Sequence, residues 1–336
     1  MTQTAAPASR TAPRPALRSG RLRRVLRAVA VVSCLPYLTL KIAWIGGSHL
    51  GIPEGSPLLD HRASMAAANS VTVLMDGAVI VLALLLTRPW GRRVPAWLLV
   101  FPMWVATGLL TPIMTGYPLQ LLVRAFGGSV NHGGSKGGPF LDEWVFGVVY
   151  TGFILQGLAL GTLFALYARD RWGHTWRGPV RELPPPPADA ARRTPAVAAA
   201  VLALFPLTLH LLWACGATTG LSSARIADRS SDFYVLEATD VAFLAAAVLG
   251  ALSLTFRRGG GLPVKLPLAL AWLGSGAVAC WGGWLALASL AGVDDITRRP
   301  TPVMNLTYAV QMIVGILVAA VGVRFLAGRA ERRTAS

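Results

Sequence analysis

Long apolar runs separated by short polar segments make up most of this 336-residue chain. As α-helices, runs of about 18 to 25 residues are long enough to cross a hydrocarbon core of about 30 Å. Eight such runs lie near residues 27–48, 65–87, 94–115, 143–167, 195–217, 234–255, 266–290 and 304–325. The pattern predicts an all-α integral membrane protein with eight transmembrane helices.

Polar segments divide the chain into two halves and two tails. Residues 1–24 are rich in Ala, Pro, Ser, Thr and Arg, which is typical of a disordered tail, and residues 329–336 form a second tail. Residues 169–194 contain the run PPPP, which favours an extended conformation and predicts a semi-rigid linker. This linker separates a four-helix unit at residues 25–168 from another at residues 195–328.

Composition agrees with a membrane protein, and the charge distribution predicts its orientation. Hydrophobic residues make up 54% of the chain and charged residues 14%, against about a quarter charged in ordinary soluble proteins. With both termini cytoplasmic, 23 of the 31 Lys and Arg residues fall on the cytoplasmic side, seven fall outside, and Lys41 lies within a span. This asymmetry satisfies the positive-inside rule and predicts a multi-pass protein of the cytoplasmic (plasma) membrane.

The net charge of +16 therefore has an explanation that does not involve nucleic acid. Arginines beside the inner membrane surface are attracted to anionic headgroups, so the lipid bilayer and its anionic lipids are the expected partners. A homo-oligomer or a membrane-protein partner is left open, and no nucleic acid partner is expected.

An internal repeat relates the first helix of each half. The segment TLKIAWIGGSHLG, which begins at Thr39, aligns without a gap with TLHLLWACGATTG, which begins at Thr208. The two share a threonine, a leucine, a tryptophan and two glycines, and the alignment places Lys41 opposite His210. Further on, VTVLMDGA aligns with VLEATDVA, and YTGFILQG aligns loosely with YAVQMIVG.

The second of these alignments places Asp76 opposite Asp240. Because four spans return the chain to its starting side, the two copies have the same orientation. The sequence thus predicts a tandem parallel duplication of a four-helix unit, with a pathway or pocket at the interface between the copies.

Each copy carries one basic or titratable side chain on its first helix and one aspartate on its second. At a rise of about 1.5 Å per residue, Lys41 and Asp76 lie about 21 and 18 Å above the inner boundary, and His210 and Asp240 each lie about 26 Å above it. A charge at this depth costs about 2.5 to 3.5 kcal/mol, so such residues usually face the interior and pair. We expect a Lys41–Asp76 pair and a His210–Asp240 pair, with Glu237 one turn from Asp240.

Two interpretations of these pairs remain open. They form a proton or ion relay or a substrate-binding site, in which case the histidine adds a group that titrates near physiological pH. Alternatively they are structural pairs that lock neighbouring helices together.

Other polar and aromatic residues have predicted roles within the bundle. Gln156 and Gln311 are expected to hydrogen-bond across helices, with pore lining as the alternative. Trp44 and Trp213 are expected to anchor the chain at the membrane interface, with ligand stacking as the alternative. The apolar segment PLQLLVRAF, which begins at Pro118, predicts a short interfacial helix on the outer leaflet.

The sequence predicts neither a metal site nor a cofactor. Its three cysteines, Cys34, Cys215 and Cys280, have no CxxC spacing, and HExxH and GxSxG motifs are absent. The eight-helix plan is similar to that of haem A synthases, but those enzymes use paired histidines in both halves, which this chain lacks. These absences favour a protein that is not an enzyme.

The bias towards alanine, arginine and proline, with the segment PYLTLKIAWIGG, resembles multi-pass membrane proteins of high-GC actinobacteria, a resemblance that implies no activity. The first functional hypothesis is transport or export of a small molecule or ion, centred on Lys41, Asp76, His210, Glu237 and Asp240. The second is a non-enzymatic membrane partner or sensor subunit with structural charge pairs. A membrane-embedded enzyme acting on lipid ranks third.

Overall fold

The computed structural model describes residues 15–56, 58–59, 62–128, 141–183, 190–290 and 299–334, and over these ranges the chain is helical with no β-strand. The predicted all-α class is confirmed. The α-helices are α1 (Pro15–Val32), α2 (Leu35–Ile45), α3 (Arg62–Thr87), α4 (Ala96–Ala125), α5 (Glu143–Trp172), α6 (Ala190–Ala214), α7 (Ser223–Ala227), α8 (Ser231–Phe256), α9 (Lys265–Leu290) and α10 (Pro302–Thr334).

Eight helical segments of the described chain are long and apolar enough to cross a membrane, as predicted. They are Gly20–Ile45, Met65–Thr87, Ala96–Ala125, Glu143–Trp176, Arg193–Ala214, Ser231–Phe256, Lys265–Leu290 and Pro302–Arg329. The first combines α1 and α2, which are separated by a turn at residues 33–34. Pro36, in the first turn of α2, has no backbone N–H to continue the hydrogen bonds of α1.

The segment predicted as a separate interfacial helix is instead the end of α4. This helix runs through Pro102, Pro112 and Pro118 to Ala125, ten residues beyond the predicted limit of 115. Arg124, in its last turn, forms an ion pair with Asp232 in the first turn of α8. This contact between the two halves holds the final turns of α4 in the bundle, so the prediction of an interfacial helix is wrong.

Helices also extend into segments that the sequence assigned to tails and linker. The backbone is helical from Pro15, within the predicted N-terminal tail, and α10 continues to Thr334. The predicted linker begins with the last residues of α5, which two short 3₁₀ turns follow. The Val180 N–H donates to the Leu262 carbonyl at 2.8 Å. Residues 173–183 are thus docked on the second half, whereas the PPPP run lies outside the described residues.

Each half has a hydrophobic core of its own, and the two halves meet through α4 and α9. At the contact, Gly108 of α4 lies directly against the backbone of Gly276 of α9. The Trp104 indole donates to the Ser275 hydroxyl at 3.0 Å, and the Trp281 indole donates to the Leu109 carbonyl at 3.2 Å. Glycine allows this close approach, while the indole bonds fix the register.

The bundle has two chemically different ends. One, here called the arginine end, carries bonds from Arg257 to the Arg181 carbonyl and from Arg329 to the Arg177 carbonyl, which hold the linker against the ends of α8 and α10. The other, here called the tryptophan end, carries the loops that follow α2 and α6.

Candidate functional site

A cavity of about 300 Å³ lies where α4 meets the second half, towards the tryptophan end. Its size is at the lower limit of small-molecule pockets. The first half contributes a wall from α4 and one residue of α5, namely Pro112, Ile113, Tyr117, Gln120 and Tyr150. The ionisable residues of the second half that line it are His210, Arg225, Glu237 and Asp240. The cavity thus combines an apolar wall with a concentrated polar face.

The polar face is built from three helices around His210. This histidine projects from α6, and its Nδ1 lies 2.5 Å from Glu237 Oε2 and 3.9 Å from Asp240 Oδ2. Both carboxylates are on α8, one turn apart, so one face of this helix presents them together. On the other side of the ring, Gln311 of α10 places its amide nitrogen 2.9 Å from Nε2. Both nitrogens of this buried ring are therefore engaged.

The Gln311 amide suits either protonation state of His210. When the histidine is neutral and the amide nitrogen faces Nε2, the amide donates to Nε2 and the Nδ1–H donates to Glu237. A half-turn of the amide presents its oxygen to a protonated Nε2–H instead. The histidine can therefore gain a proton without losing a hydrogen bond.

The two carboxylates differ in their environment. The Glu237 side chain is 10% exposed and bonds to His210. Glu237 is therefore closer to the histidine than Asp240, the partner that the sequence predicted. The Asp240 side chain is 37% exposed, and it lines the cavity. Asp240 is consequently the carboxylate that a molecule in the cavity can reach.

The aligned residues of the first half are arranged differently. The Lys41 ammonium lies 4.8 Å from the centre of the Tyr37 ring and 5.7 Å from that of Trp44. Among the described residues, Lys41 and Asp76 make no direct ion pair, and one Asp76 carboxylate oxygen has no hydrogen-bond partner. Asp76 instead contacts the Gln156 amide, as Gln311 contacts His210. The expected Lys41–Asp76 pair is replaced by a cation over aromatic rings and a carboxylate beside an amide.

Contacts within α2 account for the position of the lysine. In α2, Lys41 follows Tyr37 by four residues and precedes Trp44 by three, so the three side chains share a face. The lysine therefore packs along its own helix.

Trp44 and Trp213 do not lie at the surface as membrane-interface anchors would. They are 6% and 2% exposed, and their indole N–H groups donate to the carbonyls of Leu50 and Thr219 at 2.7 and 2.9 Å. Each tryptophan therefore fastens the loop that follows its own helix. This contact corrects the anchor interpretation, and Trp213 additionally lines the cavity.

These two loops match in detail at the positions that the alignment equates. Gly47 and Gly216 have φ of 89° and 93°, and Gly51 and Gly220 have φ of 73° and 78°. These values lie in the left-handed region that glycine adopts most readily. The two shared glycines of the repeat thus serve the same backbone geometry in both halves.

Several cavity residues were missed by sequence reasoning. Tyr150 and Tyr308 line the cavity from α5 and α10, and they are the first residues of the loosely aligned segments YTGFILQG and YAVQMIVG. The alignment of these two tyrosines at the same position of the repeat could have identified them. Arg225 of α7 is within hydrogen-bonding reach of the Tyr308 hydroxyl. It was counted only as a charge in an outer loop.

His210, Glu237 and Asp240 also form a donor set that could hold a metal ion, since one ligand atom from each lies within 4.8 Å of the others. Ligands at about 2.0 to 2.1 Å from a tetrahedral ion are about 3.3 Å apart. The 2.5 Å approach of His210 to Glu237 is a hydrogen-bond distance, so a metal would have to separate the two.

Comparison with protein-family models, with curated proteins and with solved structures finds no match to this chain.

Proposed function

We propose that this polytopic membrane protein transports a small molecule or ion, which binds in the cavity beside His210, Glu237 and Asp240. The observation that carries the proposal is a buried polar cluster that opens onto a cavity where the two halves meet. Ionisable residues within membrane-spanning helices are costly, and they commonly mark substrate or ion pathways. Transporter sites also lie typically at the interface of structural repeats.

The matched loops support a tandem duplication as the origin of the two halves. The same glycine conformations and the same tryptophan-to-loop bond recur at aligned positions. A parallel duplication brings equivalent helices together around an axis along the membrane normal. In such an arrangement the cavity lies between the halves, so a movement of one half against the other changes which side of the membrane the cavity opens to.

The structure has the geometry of a site closed towards the arginine end. One turn below the cavity, towards that end, the bundle is filled by Leu244 of α8, Val278 of α9 and Val314 of α10, which are 0%, 2% and 0% exposed. Transport therefore requires a second arrangement in which this layer separates. By the positive-inside rule, we assign the arginine end to the cytoplasm.

Cysteine accessibility tests both the movement and the orientation. Thr239, a cavity residue, is replaced in a variant whose three native cysteines are changed to serine, and a membrane-impermeant maleimide is added to intact cells or to inverted vesicles. We expect Thr239→Cys to react from both sides. A Val318→Cys control, at a position 0% exposed in the core, is expected to react from neither. A variant that keeps only Cys215, exposed at the tryptophan end, is expected to react in intact cells.

The second candidate function is a ligand-binding sensor subunit, favoured by the closed layer below the cavity. A sensor needs access from one side only. Reaction of Thr239→Cys from a single side under all conditions would reject transport and support the sensor. Reaction of the Cys215 variant only in inverted vesicles would reverse the assigned orientation.

A further inference from the structure

We propose that the cavity binds a small organic cation, with its ammonium group at Asp240 and its apolar part against the tyrosine and tryptophan rings. This inference rests on the proposed function, because it names the chemical class of the molecule that the cavity takes. Three observations support it: the position of the Asp240 carboxylate, the aromatic residues that line the cavity, and the lysine that the first half has at the position of His210.

Asp240 supplies the negative charge that a cation would meet. Glu237 is engaged with His210 at 2.5 Å, whereas Asp240 is 3.9 Å from the same ring and faces the cavity. Arg225 also lines the cavity, but it is in reach of the Tyr308 hydroxyl and makes no direct ion pair with Asp240 among the described residues. A carboxylate in an apolar pocket favours a cationic partner and disfavours an anionic one.

Aromatic rings form much of the remaining wall, contributed by Tyr117, Tyr150, Trp213, Trp281 and Tyr308. Ring faces attract cations within about 6 Å of the centroid, and quaternary ammonium ligands are recognised in this way. An inorganic cation keeps its hydration shell or needs several oxygen ligands. The lining offers carboxylate and hydroxyl oxygens on one side, from Glu237, Thr239 and Asp240, while rings and aliphatic side chains make up much of the rest. This one-sided arrangement fits an organic cation with a charged end and an apolar end.

The first half holds an ammonium of its own in a comparable environment. Lys41 lies over the rings of Tyr37 and Trp44, near enough to Asp76 for their charges to interact. In the second half the aligned position is His210, whose shorter side chain is bonded to Glu237. The second half thus retains the carboxylate and the aromatic residue but has no ammonium there. A cation from outside would supply the missing group.

Counting charges links the cation to a proton. The titratable and charged groups around His210 are Glu237 and Asp240 of α8, Arg225 of α7, and the phenols Tyr117, Tyr150 and Tyr308. With a neutral histidine, two carboxylates and one guanidinium leave one negative charge, which a bound cation neutralises. With a protonated histidine the empty site is already neutral. A proton and an organic cation therefore compete, as an exchanger of one for the other requires.

Binding to the purified full-length protein in nanodiscs tests the inference. The probe is benzyltrimethylammonium, with benzyl alcohol as an uncharged aromatic control, and binding is followed by isothermal titration calorimetry. We expect the ammonium to bind and the alcohol not to compete. We expect affinity to fall as pH is lowered from about 8 to about 5.5, the range in which histidine gains its proton.

Variants locate the site. Asp240→Asn is expected to weaken binding about tenfold or more, and Asp240→Glu, which keeps the charge, is expected to bind within a few-fold of the native protein. Asp142→Asn removes a carboxylate outside the cavity and is expected to bind normally. Because Asp240→Asn could alter folding, its melting curve is compared with the native one, and Tyr117→Leu provides a second cavity variant with an expected several-fold loss.

Three outcomes would overturn the organic-cation assignment. They are unchanged binding in Asp240→Asn, equal competition by benzyl alcohol, and tight binding of Zn²⁺ at this cluster without binding of the ammonium probe. Two-sided reaction of Thr239→Cys combined with any of them leaves transport standing and rejects only this substrate class. One-sided reaction with normal ammonium binding rejects transport and keeps the cation site.

Discussion

Adding a single methyl group at Gly108 should weaken the contact between the two halves. A Cβ at this position would meet the Gly276 carbonyl group and would lie 2.8 Å from Cys280 Sγ, whereas ordinary contacts of a Cβ are 3.4–4 Å. The main obstacle is backbone, which cannot move aside by changing a rotamer. Gly108→Ala therefore has to push α4 and α9 apart.

The size of the effect follows from two opposing contributions. Overpacking a close contact costs about 1 to 3 kcal/mol. Replacing glycine by alanine within a helix favours the folded state by about 0.5 to 1 kcal/mol. We expect a net destabilisation of up to about 2.5 kcal/mol, which corresponds to a melting temperature lower by up to several degrees.

The assay heats the detergent-solubilised protein at one fixed rate. Size-exclusion chromatography then measures the fraction that remains folded at each temperature. The matched control is Gly161→Ala in α5, where a Cβ would have no neighbour within 4 Å and where we expect an equal or slightly higher melting temperature. If Gly108→Ala melts like Gly161→Ala, the direct contact of α4 with α9 is refuted.

Two further contacts are open to measurement. For the ion pair between Arg124 and Asp232, whose side chains are 31% and 19% exposed, we expect a double-mutant cycle in melting experiments to give a coupling of at most about 1 kcal/mol that decreases with salt; coupling that salt leaves unchanged would contradict a partly exposed pair. For Trp44→Phe and Trp213→Phe, each of which loses one indole hydrogen bond to a loop, we expect a similar loss of about 1 kcal/mol; an effect in one half alone would contradict the equivalence of the two loops.

Sequence reasoning succeeded where the information is local. Apolar length and composition determine whether a helix can span a membrane, so the eight spans were predictable to within several residues at most of their ends. The end of α4 was missed because Arg124 finds its partner on α8, and a single sequence does not pair distant charges. The segment that begins at Pro118 was assigned to a separate helix, although membrane helices tolerate proline in their interior.

The central polar residues of the candidate site were predicted, but their geometry and several other cavity residues were not. Residues at similar depth on neighbouring helices were expected to pair, yet depth leaves the rotation of each helix undetermined. In the second half this rotation brings Glu237 to His210 ahead of Asp240. In the first half Lys41 packs over Tyr37, four residues earlier on its own helix, and makes no direct ion pair with Asp76 among the described residues.

The docked linker has a mechanical consequence for any movement of the halves. Hydrogen bonds join Val180 to Leu262, Arg181 to Gly260 and Gly178 to Val264, so the second half holds the chain from residue 178 onwards. The covalent path from the first half leaves α5 at Trp172, six residues before Gly178. Even fully extended, the six steps from Trp172 to Gly178 span only about 20 Å. The docked linker therefore limits how far the arginine end of α5 can move away from the second half.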